Sequence, residues 1–272
     1  MSTTSAVRAV SDGLVVAKRN LIKIKRVPDL LVFTTLSPIM FVLLFAYVFG
    51  GAIAVEGSNY REFLIAGIFA QTVLFGATIT GTGLADDIQK GIIDRFRSLP
   101  MSPSAVLFGR TLSDVLSNVI TVVVMSLTGL VVGWRIRTSV LEALGGFLLL
   151  LVFAYAFSWV MAMVGLMAPS PEVVNNASFV VIFPLTFVAN TFVPLETLSG
   201  PLRAFAEWNP VSTVTEAARQ LFGNVGTPPR GAAASTSWAL EHPAIYTLIW
   251  SVAILVIFVP LTTRQFRRSV SR

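Results

Sequence analysis

The residues with chemistry to offer lie close together. Between Leu84 and Pro103 the chain reads LADDIQKGIIDRFRSLPMSP, the longest polar interruption between two strongly apolar segments. Asp86, Asp87, Lys90, Asp94, Arg95 and Arg97 supply the charge. Gly91 suits the left-handed position that closes a helix, and Pro100 cannot continue one. Between them Ile92, Ile93, Phe96 and Leu99 oppose Asp94, Arg95 and Arg97, the pattern of a short amphipathic helix. Ser102 as N-cap and Pro103 at the first helical position then restart a helix. This is the chemistry of docking: charges that steer a partner and an apolar ridge that fills a groove. Periodicity alone leaves two readings, a handle that a soluble partner pushes and a solvated connecting loop. The rest of the chain favours the handle.

Catalytic chemistry finds no foothold. There is no GxxxxGK[ST], no HExxH and no GxSxG, and no metal-spaced histidine cluster. Cysteine is absent, which excludes disulfides, thiolate chemistry and cysteine-ligated metal. The single histidine, His242, precedes Pro243 at the start of an apolar segment and reads as an interfacial side chain. Inside the apolar segments the polar residues are Gln71, Asn118, Asn175, Asn176 and Asn190. Such amides more often hold helices together than bind cargo. Carboxylates look nearly absent from the segment centres, where a charge costs about 2.5–3.5 kcal/mol or more. Ion-coupled carriers usually place Asp, Glu or Lys there. A pump without them must draw its energy from elsewhere, which points to an ATPase partner.

The elements that position these residues are membrane helices. At 54% hydrophobic and 12% charged residues the chain is no ordinary soluble domain, since average chains are about 25% charged. With about 20 apolar residues per span, 272 residues hold six spans and short loops. They are expected near 29–50, 63–85, 104–133, 141–167, 173–195 and 243–262. The chain is thus one transmembrane domain in four stretches: 1–28, spans one to five over 29–195, 196–242, and span six with a basic tail over 243–272. In the first stretch Val7, Val10, Leu14, Ala17, Leu21 and Ile24 recur on one helical face among basic residues, the mark of an interfacial helix. A basic flank that only sets topology is the alternative. Ala52-Ile53-Ala54 imitates a signal-peptide cleavage site, but the apolar run from Leu30 to Val48 exceeds the usual ~7–15 residues, so the first span is read as uncleaved.

Span two is rich in Gly67, Ala70, Gly76, Ala77, Gly81 and Gly83, and so belongs inside a bundle or at a subunit interface. On span three Arg110 and Asp114 stand four apart and are placed to pair. Trp134, Arg135 and Arg137 mark the opposite interface, and Pro184 kinks span five. Between spans five and six two short helices are visible. Ser199-Gly200-Pro201 opens one that carries Phe205 and Trp208. Thr213 to Glu216 reads as a capping box opening the other, which carries Leu221 and Phe222 and closes at Gly223. Phe205, Trp208, Leu221 and Phe222 are expected to face the bilayer or the exit of a path, on helices that dip back into the interface. Of the 20 Lys and Arg residues, six (Arg61, Arg135, Arg137, Arg203, Arg219 and Arg230) fall on the side away from the termini. The positive-inside rule therefore makes both termini and the Leu84–Pro103 stretch cytoplasmic, and the two short helices external.

Those residues carry a resemblance. Asp86-Asp87, Lys90-Gly91-Ile92-Ile93-Asp94-Arg95-Phe96-Arg97-Ser98-Leu99-Pro100 and Met101-Ser102-Pro103 resemble the signature of ABC transporter permeases of type 2, and most of all the daunorubicin-resistance permeases of actinobacteria. Phe192-Val193-Pro194 with Pro201-Leu202 and Phe205 to Val211 is similar to the same family, and the likeness spans essentially the whole chain. Many relatives have Gly-Thr where this chain has Gly91-Ile92, which alters local capping and not the role. The resemblance implies an all-α permease of a bacterial cytoplasmic membrane. It implies a homodimer standing on two separately encoded ATP-binding subunits, which bind ATP and Mg²⁺ while this chain binds no cofactor and is no enzyme. Hydrophobic cargo such as drugs, antibiotics or lipids would be exported, with lipid contacts and no nucleic acid. Asp94, Arg95, Phe96 and Arg97 would transmit ATP hydrolysis, with Asp86, Asp87, Lys90 and Gly91 at the rim. Two rivals stand beside this reading. One is a same-fold exporter of polysaccharide or envelope glycan precursors, which a longer aromatic-lined groove would favour. The other is a stand-alone immunity or binding protein.

Overall fold

The computed structural model describes residues 28–49, 59–92, 103–225 and 237–270. Nine α-helices and no strand occur among them: α1 Pro28–Leu44, α2 Tyr60–Gln89, α3 Pro103–Val132, α4 Val140–Met167, α5 Pro171–Phe187, α6 Gly200–Trp208, α7 Pro210–Phe222, α8 Trp238–Glu241 and α9 Pro243–Val270. Four of these, α2, α3, α4 and α9, are long and apolar enough to cross a membrane. α1 runs on into a wider π turn, Phe45–Phe49. The expected N-terminal interfacial helix and the expected short helix with Asp94, Arg95, Phe96 and Arg97 lie outside the described residues.

The bundle is built around α2, which packs on α1, α3, α4, α5 and α7. Its small residues explain why. In lipid, helices gain nothing from hiding apolar surface from each other, so association rests on close packing and polar links. A Cβ on Gly81 would strike the Met161 carbonyl, and one on Gly165 would strike the Gly81 backbone, so α2 and α4 cross with their backbones almost touching. A Cβ on Gly67 would meet the Thr191 carbonyl in the same way. α9 lies outside, against α4 and α7.

Local signals set the ends. α2 starts at Asn59, whose side chain accepts the Arg61 N–H, and stops at Gly91, where φ is +64°. α4 starts in a reciprocal capping box between Ser139 and Glu142. α7 begins at Pro210, with Asn209 as its cap accepting from the Val211 N–H. The expected capping box at Thr213 is therefore displaced, because Asn209-Pro210 offers a cap and a first-turn proline one turn earlier. Gly223 closes α7 with φ +72°, as expected.

Span five departs most from expectation. α5 has 17 residues, about 25 Å at 1.5 Å per residue, short of a hydrocarbon core of ~30 Å. It stops three residues after Pro184, and the chain continues without helix through Asn190 to Pro194. Non-helical backbone among membrane helices must find partners in protein. Here the Asn209 amide donates to the carbonyls of Leu185 and Val188, both at 2.8 Å, and the Tyr60 hydroxyl donates to that of Phe192 at 3.1 Å.

Candidate functional site

Arg219 on α7 completes that tether. It is 1% exposed. Its Nε donates to the Phe63 carbonyl at 3.0 Å, and Nη2 donates to the carbonyls of Asn190 and Thr191. The guanidinium lies 3.5 Å over the Phe63 ring, and Nη1 stands 3.5 Å from the Glu216 carboxylate, which also accepts from Asn190 Nδ2. One fork-shaped cation thus joins α2, α7 and the broken end of span five. Sequence reasoning counted Arg219 only as a charge setting topology. The signal available was its place one residue beyond the buried pair Ala217 and Ala218 on a helix.

The same helix corrects a second expectation. Phe205 and Trp208, on α6, are 53% and 52% exposed. Phe222 is fully buried, in an aromatic box with Phe69, Trp134 and Phe147, ring centroids 4.8 to 6.0 Å apart. Leu221 is half-buried. The reason is that α7 packs on α2, α4 and α9, so most of its residues from Val211 to Phe222 are buried. Trp134 is likewise buried in the protein. Its Nε1 donates to Asn224 Oδ1 at 2.7 Å, which satisfies the one polar atom that burial would strand.

At the other end of α2 lie the residues expected to couple. Asp86 and Lys90 form an exposed pair one turn apart at 2.8 Å. Asp87 is buried and pairs across helices with Arg110 of α3 at 2.9 Å. Arg110 therefore bonds to α2 and not to Asp114, its neighbour one turn on, and Asp114 accepts a hydrogen bond from Thr80. Glu62, Asp87 and Asp114 are all buried; Glu62 and Asp87 fall just outside the expected bounds 63–85 of span two, at the two ends of α2, and Asp114 lies within α3. Glu62 is held at the far end by the forked Arg137 guanidinium at 2.8 and 2.9 Å, and those bonds hold Arg137 above its ordinary pKa. Gly91 marks the helix end, and the chain leaves the described residues directly beyond Ile92, toward Asp94, Arg95, Phe96 and Arg97.

Above this charged end opens a cavity of about 950 Å³ between α1, α2, α3 and α5. Its polar lining includes Asp87, Arg110, Asp114, Asn118 and Gln71, and the Asn118 side chain lies against Gly76. The lining also carries Phe41, Phe75, Phe179 and Phe183. A second recess of about 370 Å³ shares Phe75, Ile79, Thr82 and Phe179 with it and adds Asn175 and Asn176. From the cavity a row of rings continues along α5. Phe179, Phe183 and Phe187 stack at successive turns, with centroids 4.9 and 4.1 Å apart, then Phe192 and Phe45 follow at 4.8 and 4.5 Å. The row ends where the broken segment and α7 begin.

The described residues thus form an all-helical bundle with four long apolar helices and a cavity of mixed polar and aromatic lining over a charged helix end. The model of the ABC-2 type transporter family matches residues 13–222. The chain is 36% identical, over 95% of its length and 87% of the relative's, to the daunorubicin resistance ABC transporter permease protein DrrB1 of Streptomyces coeruleorubidus. It is 26% identical to the probable doxorubicin resistance ABC transporter permease protein DrrC of Mycobacterium tuberculosis, over 85% and 80% of the two chains. It is 25% identical to the putative transport permease ycf38 of Cyanophora paradoxa, over 79% and 75%. The chain belongs to the ABC-2 type transporter family, and it is a multi-pass membrane permease.

Proposed function

We propose that this chain is the membrane subunit of an ATP-driven exporter that moves hydrophobic small molecules, drugs, antibiotics or lipids, out of the cell. The cavity carries the reading: it has the size of a drug-sized ligand site, is walled by phenylalanines, and opens at the charged end of α2. The names of the relatives, which speak of daunorubicin and doxorubicin resistance, support a drug-like cargo. Two copies of the chain stand on two copies of a separate ATP-binding subunit, which holds ATP and Mg²⁺. Both termini face the cytoplasm, and α1 and α5 complete six spans with the four long helices.

Force enters at Asp94, Arg95, Phe96 and Arg97 and reaches α2 through Gly91. The Asp87–Arg110 pair ties α2 to α3, so a displacement at the helix end moves two walls of the cavity together. Cargo then follows the row of rings on α5 toward the Arg219-tethered end.

The aromatic row gives the glycan-precursor reading one specific point in its favour. Every ring in it is phenylalanine, however, with no hydroxyl or ring N–H to pair with a sugar, and this favours an apolar or amphiphilic cargo. The test is ATP-dependent uptake of daunorubicin into inverted vesicles that contain this chain and its ATP-binding subunit. Uptake is expected only with both subunits and ATP. Uptake of a lipid-linked glycan alone would move the assignment to the second reading, and no ATP-dependent uptake of any amphiphile would end the exporter reading.

A further inference from the structure

Arg110 reaches from α3 across the last turns of α2. Ile79, Gly83 and Asp87 stand at successive turns of that helix. The guanidinium spans all three: Nη1 donates to Asp87 at 2.9 Å and Nη2 to the Ile79 carbonyl at 3.4 Å, over Gly83. A Cβ on Gly83 would take the place of Nη2, so a side chain there would displace the guanidinium. This seat is incomplete, because the buried Arg110 Nε has no acceptor among the described residues. One turn along α3, Asp114 is also buried, with Oδ2 engaged by the Thr80 hydroxyl. A carboxylate accepts on both oxygens, and side chains four apart on a helix reach each other. Arg110 thus has a second carboxylate to turn to by side-chain torsion alone.

We propose that Arg110 is a positioning residue of the transport cycle that exchanges Asp87 for Asp114 when the end of α2 is drawn away. Asp87 stands one turn before Gly91, beyond which the coupling residues follow. A pull there first moves α2 and α3 together, because the Asp87–Arg110 pair holds. When the pair parts, the guanidinium turns to Asp114, Nε gains its acceptor, and α2 is released from α3 beside the cavity. A buried cation stripped of its partner is strongly destabilising. With a carboxylate at either seat the cation is never left alone, and that makes the release possible. This rests on the exporter reading and adds to it the residue that limits how far the two helices travel together.

The test is arginine side-chain NMR of the purified full chain in detergent micelles, following the Arg110 Nε–H, assigned by its absence from Arg110→Lys. Gly83→Ala puts a methyl where Nη2 lies and evicts the guanidinium with no change of charge. The Nε–H is then expected to move downfield and to exchange with water about tenfold more slowly, as a donor newly bonded to a carboxylate does. Asp87→Asn should give the same shift by removing the first partner. Adding Asp114→Asn to either variant should abolish it, whereas an ion pair that only holds the fold together gives no new bond to Asp114. An unmoved Nε–H in either folded variant, or a shift that persists once Asp114→Asn is added, overturns the inference. So does the failure of both single variants to fold, since an evicted guanidinium with a second seat keeps a partner. The chain is measured alone, so none of these results touches the exporter reading, which is decided by ATP-dependent uptake.

Discussion

Replacing Arg219 removes the tether at the broken end of span five. Arg219→Ala leaves the carbonyls of Phe63, Asn190 and Thr191 without their donor and Glu216 without its cation. A buried acceptor left unpaired costs about 1–3 kcal/mol, and breaking a buried charge pair by removing one partner costs about 3–5 kcal/mol in all. The cation over Phe63 is lost as well. These terms share the same atoms and do not add, so about 4 kcal/mol is the expected destabilisation. For a chain of this size that corresponds to a fall in Tm of roughly 10 °C. Arg219→Lys keeps the charge but not the fork, and should recover less than half of the loss. The assay is thermal unfolding of purified variants in one detergent, with yield from the membrane recorded alongside. An Arg219→Ala protein within about 2 °C of the parent would refute the tether, because a stranded set of buried carbonyls cannot cost so little.

Three further outcomes follow from the packing. Gly165→Leu drives a side chain into the Gly81 backbone and should prevent the α2–α4 crossing, read as loss of folded protein, whereas Gly145→Leu, whose Cβ meets only Leu221 at 3.9 Å, should be tolerated. Single cysteines at Phe205 and Trp208 should label far faster with a small thiol reagent than one at Phe222, and equal rates would contradict the buried aromatic box. Exchanging Asp87 and Arg110 to give D87R with R110D should restore part of the stability lost in either single variant, measured by the same unfolding assay; no rescue would mean the pair is not a direct contact.

What was legible in the sequence was punctuation and periodicity. The glycines of α2 marked it as the packed centre, since small residues have one strong meaning between membrane helices. Gly91, Gly223, Pro103 and the Ser199-Gly200-Pro201 start gave true helix ends, because left-handed closure and first-turn proline are local physics. Partnership across the bundle was not legible. Asp114 looked destined for Arg110 because helical spacing is visible in one dimension, whereas the Asp87–Arg110 contact joins residues 23 apart. The burial of Trp134 and Phe222 was not legible either, and only the fold shows α7 packed inside the bundle. Arg219 was invisible for the same reason: its partners are backbone carbonyls, which every residue carries. The coupling residues remain half placed, with Asp86, Asp87, Lys90 and Gly91 at the helix end and Asp94 to Arg97 beyond the described residues.

The central claim is that this chain takes its energy from a separate ATPase through the residues that follow Gly91. On this proposal Ile93 and Phe96 would fill a groove in that subunit, and Asp94, Arg95 and Arg97 would meet charges on its rim. A buried aromatic anchor carries more of an interface than rim charges do, so Phe96→Ala should weaken association by about 1–2 kcal/mol more than Arg97→Ala. The direct measurement is cargo-stimulated ATP hydrolysis by the reconstituted complex, with permease abundance held equal. A Phe96→Ala, Arg95→Ala double variant is expected to insert and fold normally, to keep its affinity for cargo, and to lose the stimulation. Full stimulation by that double variant would contradict the claim and leave residues 92–102 as a solvated connection.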